Sequence, residues 1–128
     1  MKPASRIQAC IEILENTGRG RVPLDSIVGD YMRSRRYIGA KDRAEIAERV
    51  YAVTRHHARI GWHLEQAKAP DTPRSRVIAH LTLNENTDAK RLKDLFDGSK
   101  FAPSELSEEE KHFLSSLSCH PRESGDLK

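Results

Sequence analysis

Seven basic side chains carry the strongest chemical signal in this sequence: Arg33, Arg35, Arg36, Lys41, Arg43, Arg55 and Arg59. Guanidinium and ammonium groups at such density suit phosphate, the guanidinium fork matching phosphate oxygens in pairs. The first five lie in "YMRSRRYIGAKDRAEIAERVY" (31–51), where Asp42 is the lone acid between Arg33 and Arg43. Arg33, Arg35 and Arg36 are expected to end one helix, and Lys41 and Arg43 to begin the next. Free backbone N–H groups at that second helix start also attract phosphate. Arg55 and Arg59 stand one turn apart on the following helical pattern, opposite Ile46, Val50 and Val53, and extend the basic surface. Tyr31 and Tyr37 offer rings for base stacking, although Tyr31 is in phase with the apolar core. The competing reading is a solvated cationic turn that caps the carboxyl end of the preceding helix.

Other chemistries find little support. A phosphate-cradling loop needs clustered glycines feeding a helix, and the glycines here stand singly or as "GRG" between helices. His56 and His63 are seven apart and would need an unbroken helix and further ligands to hold zinc. His57 falls in a core-facing slot and reads as a structural histidine. Glu108, Glu109 and Glu110 suit a capped first turn better than an acid/base pair. No Ser/His/Asp set stands out. Cys10 lies in an apolar helical pattern as a core thiol, and Cys119 has no motif partner. We therefore expect no catalytic residues, no metal, no cofactor and no small-molecule substrate.

The elements that must position the basic groups are helices. Ile7, Cys10, Ile11 and Leu14 follow one helical face after Pro3, and "TGRGR" (17–21) ends it. Leu24, Ile27, Val28 and Tyr31 mark a second helix starting near Pro23 and stopping near Gly39. Ile46, Val50, Val53, His57, Ile60 and Leu64 share one face of a third pattern. Unbroken over 41–68 it would span about 42 Å, so "ARIGW" with Gly61 predicts a kink or break near 57–61 and two helices. "APDTP" (69–73) ends that run. Val77, Ile78 and Leu81 mark a helix after Pro73. Thr87 or Asp88 caps another over 88–97, with Leu92, Leu95 and Phe96 inside and Gly98 behind it. Ser107 and Glu110 form a capping box before Phe113, Leu114 and Leu117. No alternating strand pattern competes. The expectation is an all-α, compact bundle of six or seven helices in one domain over 1–117, followed by a disordered tail over 118–128.

Composition agrees with a small globular domain. The chain has 128 residues and a formal net charge of +3. That total hides an asymmetry: residues 1–80 hold 15 Lys/Arg and 9 Asp/Glu, giving +6, and residues 81–128 hold 7 and 10, giving −3. Basic excess in one part points to a polyanionic partner. The N-terminus "MKPASRIQACIEIL" carries Arg6 and Glu12 and no long apolar run, so neither a leader nor a membrane span is expected. The two cysteines imply no disulfide framework, which fits a cytoplasmic protein.

Three stretches, "MKPASRIQACIEIL", "DYMRSRRYIGAKDRAEIAERVYAVTRHHARIGWHL" and "LFDGSKFAPSELSEEEKHFL", resemble the N-terminal region of RsmB/Sun-type methyltransferases. "RRYIGAKDRAEIAERVY" and "RHHARIGWHL" are the most specific parts, and the similarity spans about 3–117. The family uses S-adenosylmethionine to methylate cytosine C5 in small-subunit ribosomal RNA. The resemblance implies a NusB-like fold of two packed three-helix groups and RNA binding in an accessory role, with ribosomal RNA as partner. The family's methyltransferase domain, its Gly-rich cofactor loop and its Pro-Cys nucleophile have no counterpart in these residues, and Cys119 precedes His120-Pro121 in the reverse order. The expected product is thus a truncated, RNA-binding accessory module without catalytic activity, with loss of a final helix leaving Phe113, Leu114 and Leu117 exposed. A protein-interaction or antitermination-like module, acting through a protein partner, is the alternative. Action with a separately encoded catalytic chain is a third.

Overall fold

Pro3 opens α1 (Pro3–Thr17), where its missing N–H costs nothing. Ile7, Cys10, Ile11 and Leu14 are buried as the periodicity requires, and Ala9 and Ile13 are buried as well. A helix apolar on so broad an arc is enclosed by neighbours. The computed structural model describes residues 2–17 and 22–119, with side chains to 117. After α1 come α2 (Leu24–Arg33), α3 (Ala40–Arg55), α4 (His57–Gln66), α5 (Pro73–Leu83), α6 (Ala89–Leu95) and α7 (Glu108–Cys119). All regular structure among the described residues is helical, so the all-α class expected from sequence is observed. The remainder of "TGRGR" after Thr17, and the tail beyond the helical backbone at Cys119, lie outside the described residues.

Two helices form the centre. α1 packs against α2, α3, α5 and α6, while α5 packs against α1, α3, α4 and α7. Val77, Ile78, Ala79, His80 and Leu81 are consecutive and all buried. An unbroken buried run in a helix means partners on every side. Thr72 starts α5 by accepting from the Ser75 N–H at 3.1 Å, with Pro73 behind it in the first turn. Asp88 caps α6 through the Arg91 N–H at 2.8 Å. Gly98 follows in the left-handed region (φ 74°), where only glycine is unstrained. The Ser107–Glu110 box forms in both directions, at 2.9 and 3.1 Å.

Four expectations are corrected. The long third pattern does divide into two helices, but at His56 (φ −97°, ψ 25°), one residue before the expected 57–61 stretch and away from Gly61. Gly61 lies inside α4, where an added Cβ would stand 3.2 Å from the Arg76 guanidinium, so this glycine makes room for a side chain. The break also turns His57 out of the core: it is exposed, and Ile60 and Leu64 alone carry the buried face onward. α2 ends at Arg33, so Arg35 and Arg36 stand in the loop to Gly39. Finally, Phe113, Leu114 and Leu117 are buried, at 1%, 5% and 2% exposure, because α7 lays them against α5. The run ended by "APDTP" stops slightly earlier, at Gln66. Lys68 takes a left-handed conformation (φ 57°), and the Ala69 N–H returns to the Leu64 carbonyl at 2.9 Å.

Sequence spacing gave no sign of the buried histidine, which is His80, at 4% exposure. Asn84 Nδ2 lies 3.0 Å from its Nδ1, and its Nε2 meets the Glu85 carboxylate at 3.0 Å. Arg49 reaches the same carboxylate from α3 with two donors, at 2.8 and 2.9 Å. Arg49 also contacts Glu45, which accepts from Arg6 on α1 at 2.8 Å. A continuous ionic chain thus ties α1 and α3 to the end of α5. Partial burial acts to raise the Glu85 pKa, but the hydrogen bonds and charges of Arg49 and His80 outweigh it and bring it from 4.5 to about 2. The unfolded carboxylate therefore takes up its proton first, and stability falls as pH drops from about 4.5 towards 2. For a side chain one-third exposed, the contribution is about 1–2 kcal/mol after solvent screening. Glu85→Gln should flatten urea-unfolding stability over that window, and an unchanged acid slope would show that Glu85 contributes nothing.

Candidate nucleic-acid interface

The α2–α3 corner gathers five of the basic residues but uses them differently. Arg33, at the end of α2, pairs with Asp30 one turn back; both side chains are largely exposed. Such pairs hold weakly in water and open readily. Arg35 lays its guanidinium over the Tyr31 ring, 3.8 Å from the centroid, and donates to Ser34 Oγ at 2.8 Å. Arg43 donates from Nε to the Ile38 carbonyl at 2.8 Å, bracing the loop against the first turn of α3. Its Nη groups make no hydrogen bond among the described residues. Arg36 and Lys41 are exposed and have no ion pair there.

The loop is firmly seated. Ile38 is buried at 2%, and its N–H bonds the Arg35 carbonyl at 3.1 Å. Gly39 occupies the N-cap of α3 with no side-chain cap. The two tyrosines separate cleanly. Tyr31 is buried and donates its hydroxyl to Glu12 at 2.7 Å. Burial, with the Glu12 bond and charge, pushes its pKa well above the usual range. Tyr37 is 76% exposed.

Arg55 and Arg59 do not join this corner. Twelve residues separate Arg43 from Arg55, about 18 Å along α3. Arg55 ends α3, where a cation favours the helix dipole, and Arg59 belongs to α4 beyond the break. Both are exposed without ion pairs among the described residues. Trp62, one turn after Arg59, is 52% exposed and meets His63 edge-on. Its position out of phase with Ile60 and Leu64 is the signal that marks it as a surface residue.

Folding also absorbs part of the basic excess. Arg49 pairs with Glu85, and Arg74 with Glu110 at 2.7 Å, so cations of the first 80 residues neutralise acids of the remainder. Arg76 is held by Asp71 at 2.7 and 3.0 Å and by the His57 carbonyl at 2.9 Å. These groups rim a mostly apolar cleft of about 370 Å³ floored by Leu14, Leu24 and Val53. With its guanidinium satisfied there, Arg76 has little left to offer an anion. The break at His56 also denies His56 and His63 a common helix face, and no group of three or more His, Cys, Asp or Glu among the described residues is arranged for a metal. Cys10 is fully buried, its Sγ 3.6 Å from the Ile46 carbonyl, and burial pushes its thiol up to about 12. The side chain of Cys119 lies outside the described residues. No described helix is long and apolar enough to cross a membrane.

What the corner can do chemically is bind polyanions: an exposed, braced turn with cations on both flanks and a ring at its tip. Comparison with protein-family models, curated proteins and solved structures found no match.

Proposed function

We propose that the chain is a NusB-like, RNA-binding accessory module of the cytoplasm, akin to the N-terminal region of an rRNA cytosine-C5 methyltransferase and without catalytic activity of its own. The observation that carries this reading is the α2–α3 corner, where Arg36 and Lys41 are exposed and without ion pairs among the described residues, beside Arg33, Arg35 and Arg43. The all-helical architecture is compatible with the family resemblance of "RRYIGAKDRAEIAERVY". Phosphate contacts of this kind give sequence-tolerant affinity that falls with salt.

The test is binding to a ribosomal RNA fragment across a salt series. Each phosphate contact contributes about 0.7–0.9 to the log–log slope. Arg36→Ala with Lys41→Ala should reduce the slope by about 1–2 units and weaken binding at low salt. Arg43 is a poor choice for this test, because its removal also releases the Ile38 carbonyl. Absence of binding at low salt, or a slope indifferent to the double substitution, sinks the proposal. A protein-docking reading draws on half-exposed Trp62. Partners that survive nuclease treatment and are lost in Trp62→Ala would favour it.

A further inference from the structure

We infer that the α2–α3 corner receives an unpaired RNA base, stacked on the ring of Tyr37, so that its ligand is looped or single-stranded RNA rather than uninterrupted duplex. This rests on the RNA-binding reading above and specifies its substrate class.

Tyr37 contributes little to the fold. Its ring is 76% exposed, and its hydroxyl makes no hydrogen bond among the described residues. Tyr31, six residues earlier, does both structural jobs: it is buried and it bonds Glu12. The turn beneath Tyr37 is nevertheless well anchored, by buried Ile38 and by Arg43 on the Ile38 carbonyl at 2.8 Å. The ring is thus held out on a braced backbone. Exposed Arg36 precedes it, and Lys41 follows at the start of α3. Phe101 is equally prominent at 70%, but Lys100 already lies over its ring, 5.2 Å from the centroid, and Asp97 and Glu105 outnumber that cation in its loop.

A ring among cations matches the way single strands are bound, with backbone phosphates on basic groups and bases on aromatic faces. An A-form duplex offers no such face. Its bases are stacked on one another, and its major groove is too deep and narrow to admit a side chain. A projecting phenol ring therefore finds a base only where the strand is open.

The experiment uses the full chain and two RNAs of one stem sequence: a hairpin whose loop carries 2-aminopurine, and the blunt duplex. The hairpin should bind more tightly, and its fluorescence should fall as the base stacks. Tyr37→Leu should weaken hairpin binding by about 5- to 150-fold and remove the fluorescence change. It should leave the salt slope intact, because no phosphate contact is lost. Tyr37→Phe should keep both signals. Equal or tighter binding of the duplex, or an unchanged hairpin affinity and fluorescence in Tyr37→Leu, overturns the inference while leaving RNA binding in place. If neither RNA binds at low salt, the RNA-binding reading fails and this one with it.

Discussion

Phe113→Ala should lower unfolding stability by about 3–5 kcal/mol, the usual cost of removing a buried phenyl group and leaving a cavity. The ring is 1% exposed on the face that α7 turns to α5, beside Leu114 and Leu117. Against the roughly 5–15 kcal/mol that holds a domain together, this is a large share. Urea unfolding followed by circular dichroism should show a lower midpoint with an unchanged slope. A midpoint within error of wild type would mean that this face does not belong to the core. The burial of these three residues also means that they leave no apolar stripe on α7 exposed.

Arg74→Met should cost about 2–3 kcal/mol, through a different physical route. Arg74 donates to both oxygens of Glu110, at 2.7 and 3.0 Å. It also donates to Ser104 Oγ and to the carbonyls of Ser104 and Glu105 at 3.0, 2.8 and 3.1 Å. Its guanidinium lies 5.0 Å from the centroid of the Phe96 ring. One side chain of α5 thus holds the loop leading to α7 as well as the first turn of α7. Removing it leaves a carboxylate whose side chain is 13% exposed with the Ser107 N–H but no counter-ion, and a largely buried charge without its partner is the costly outcome. We keep below the 3–5 kcal/mol of a fully buried pair because Arg74 itself is 21% exposed.

The pH dependence separates this loss from simple loss of packing. In the wild type, burial acts to raise the Glu110 pKa, but the Arg74 bond and charge and the Ser107 N–H prevail and lower it. Stability from this carboxylate is therefore present above its ordinary value and lost as pH falls through the lowered one. Without Arg74, Ser107 alone opposes burial, so the folded pKa stands higher than in the wild type and protonation relieves the loss of the counter-ion. The gap between wild type and Arg74→Met should narrow as pH falls below the usual carboxylate range. A constant gap would assign the loss to packing alone.

Much of this fold is written locally. Thr72-Pro73, Asp88, Gly98 and the Ser107–Glu110 box each act within a few residues, so their spacing suffices to place helix ends. Ile46, Val50 and Val53 show their burial through periodicity alone. Most of what could not be read depends on partners distant in sequence, though His57 is a local exception. His57 satisfied the same periodicity, yet the break at His56 changes its direction. Gly61 resembled a hinge and is instead the seat of Arg76, fifteen residues on. Arg74 and Arg49 counted towards the basic excess of residues 1–80, but their carboxylates lie 36 residues further along. At the α2–α3 corner, residue types were enough to show that cations cluster along the sequence. Whether each cation was exposed or committed to a carbonyl, as Arg43 is, required the packed chain.

The central placement of α1 has a consequence for how the chain assembles during synthesis. Within this sequence α1 is made first, yet its partner α5 begins 70 positions later, at Pro73 against Pro3, and α6 follows that. Until those segments have emerged, α2 and α3 can cover only part of the apolar arc carrying Ile7, Cys10, Ile13 and Leu14. Closing so long a connection is entropically slow compared with forming any single helix. The nascent chain therefore passes through a stage in which the helix at the eventual centre of the bundle is its stickiest surface. That is the interval in which a chaperone would be needed most.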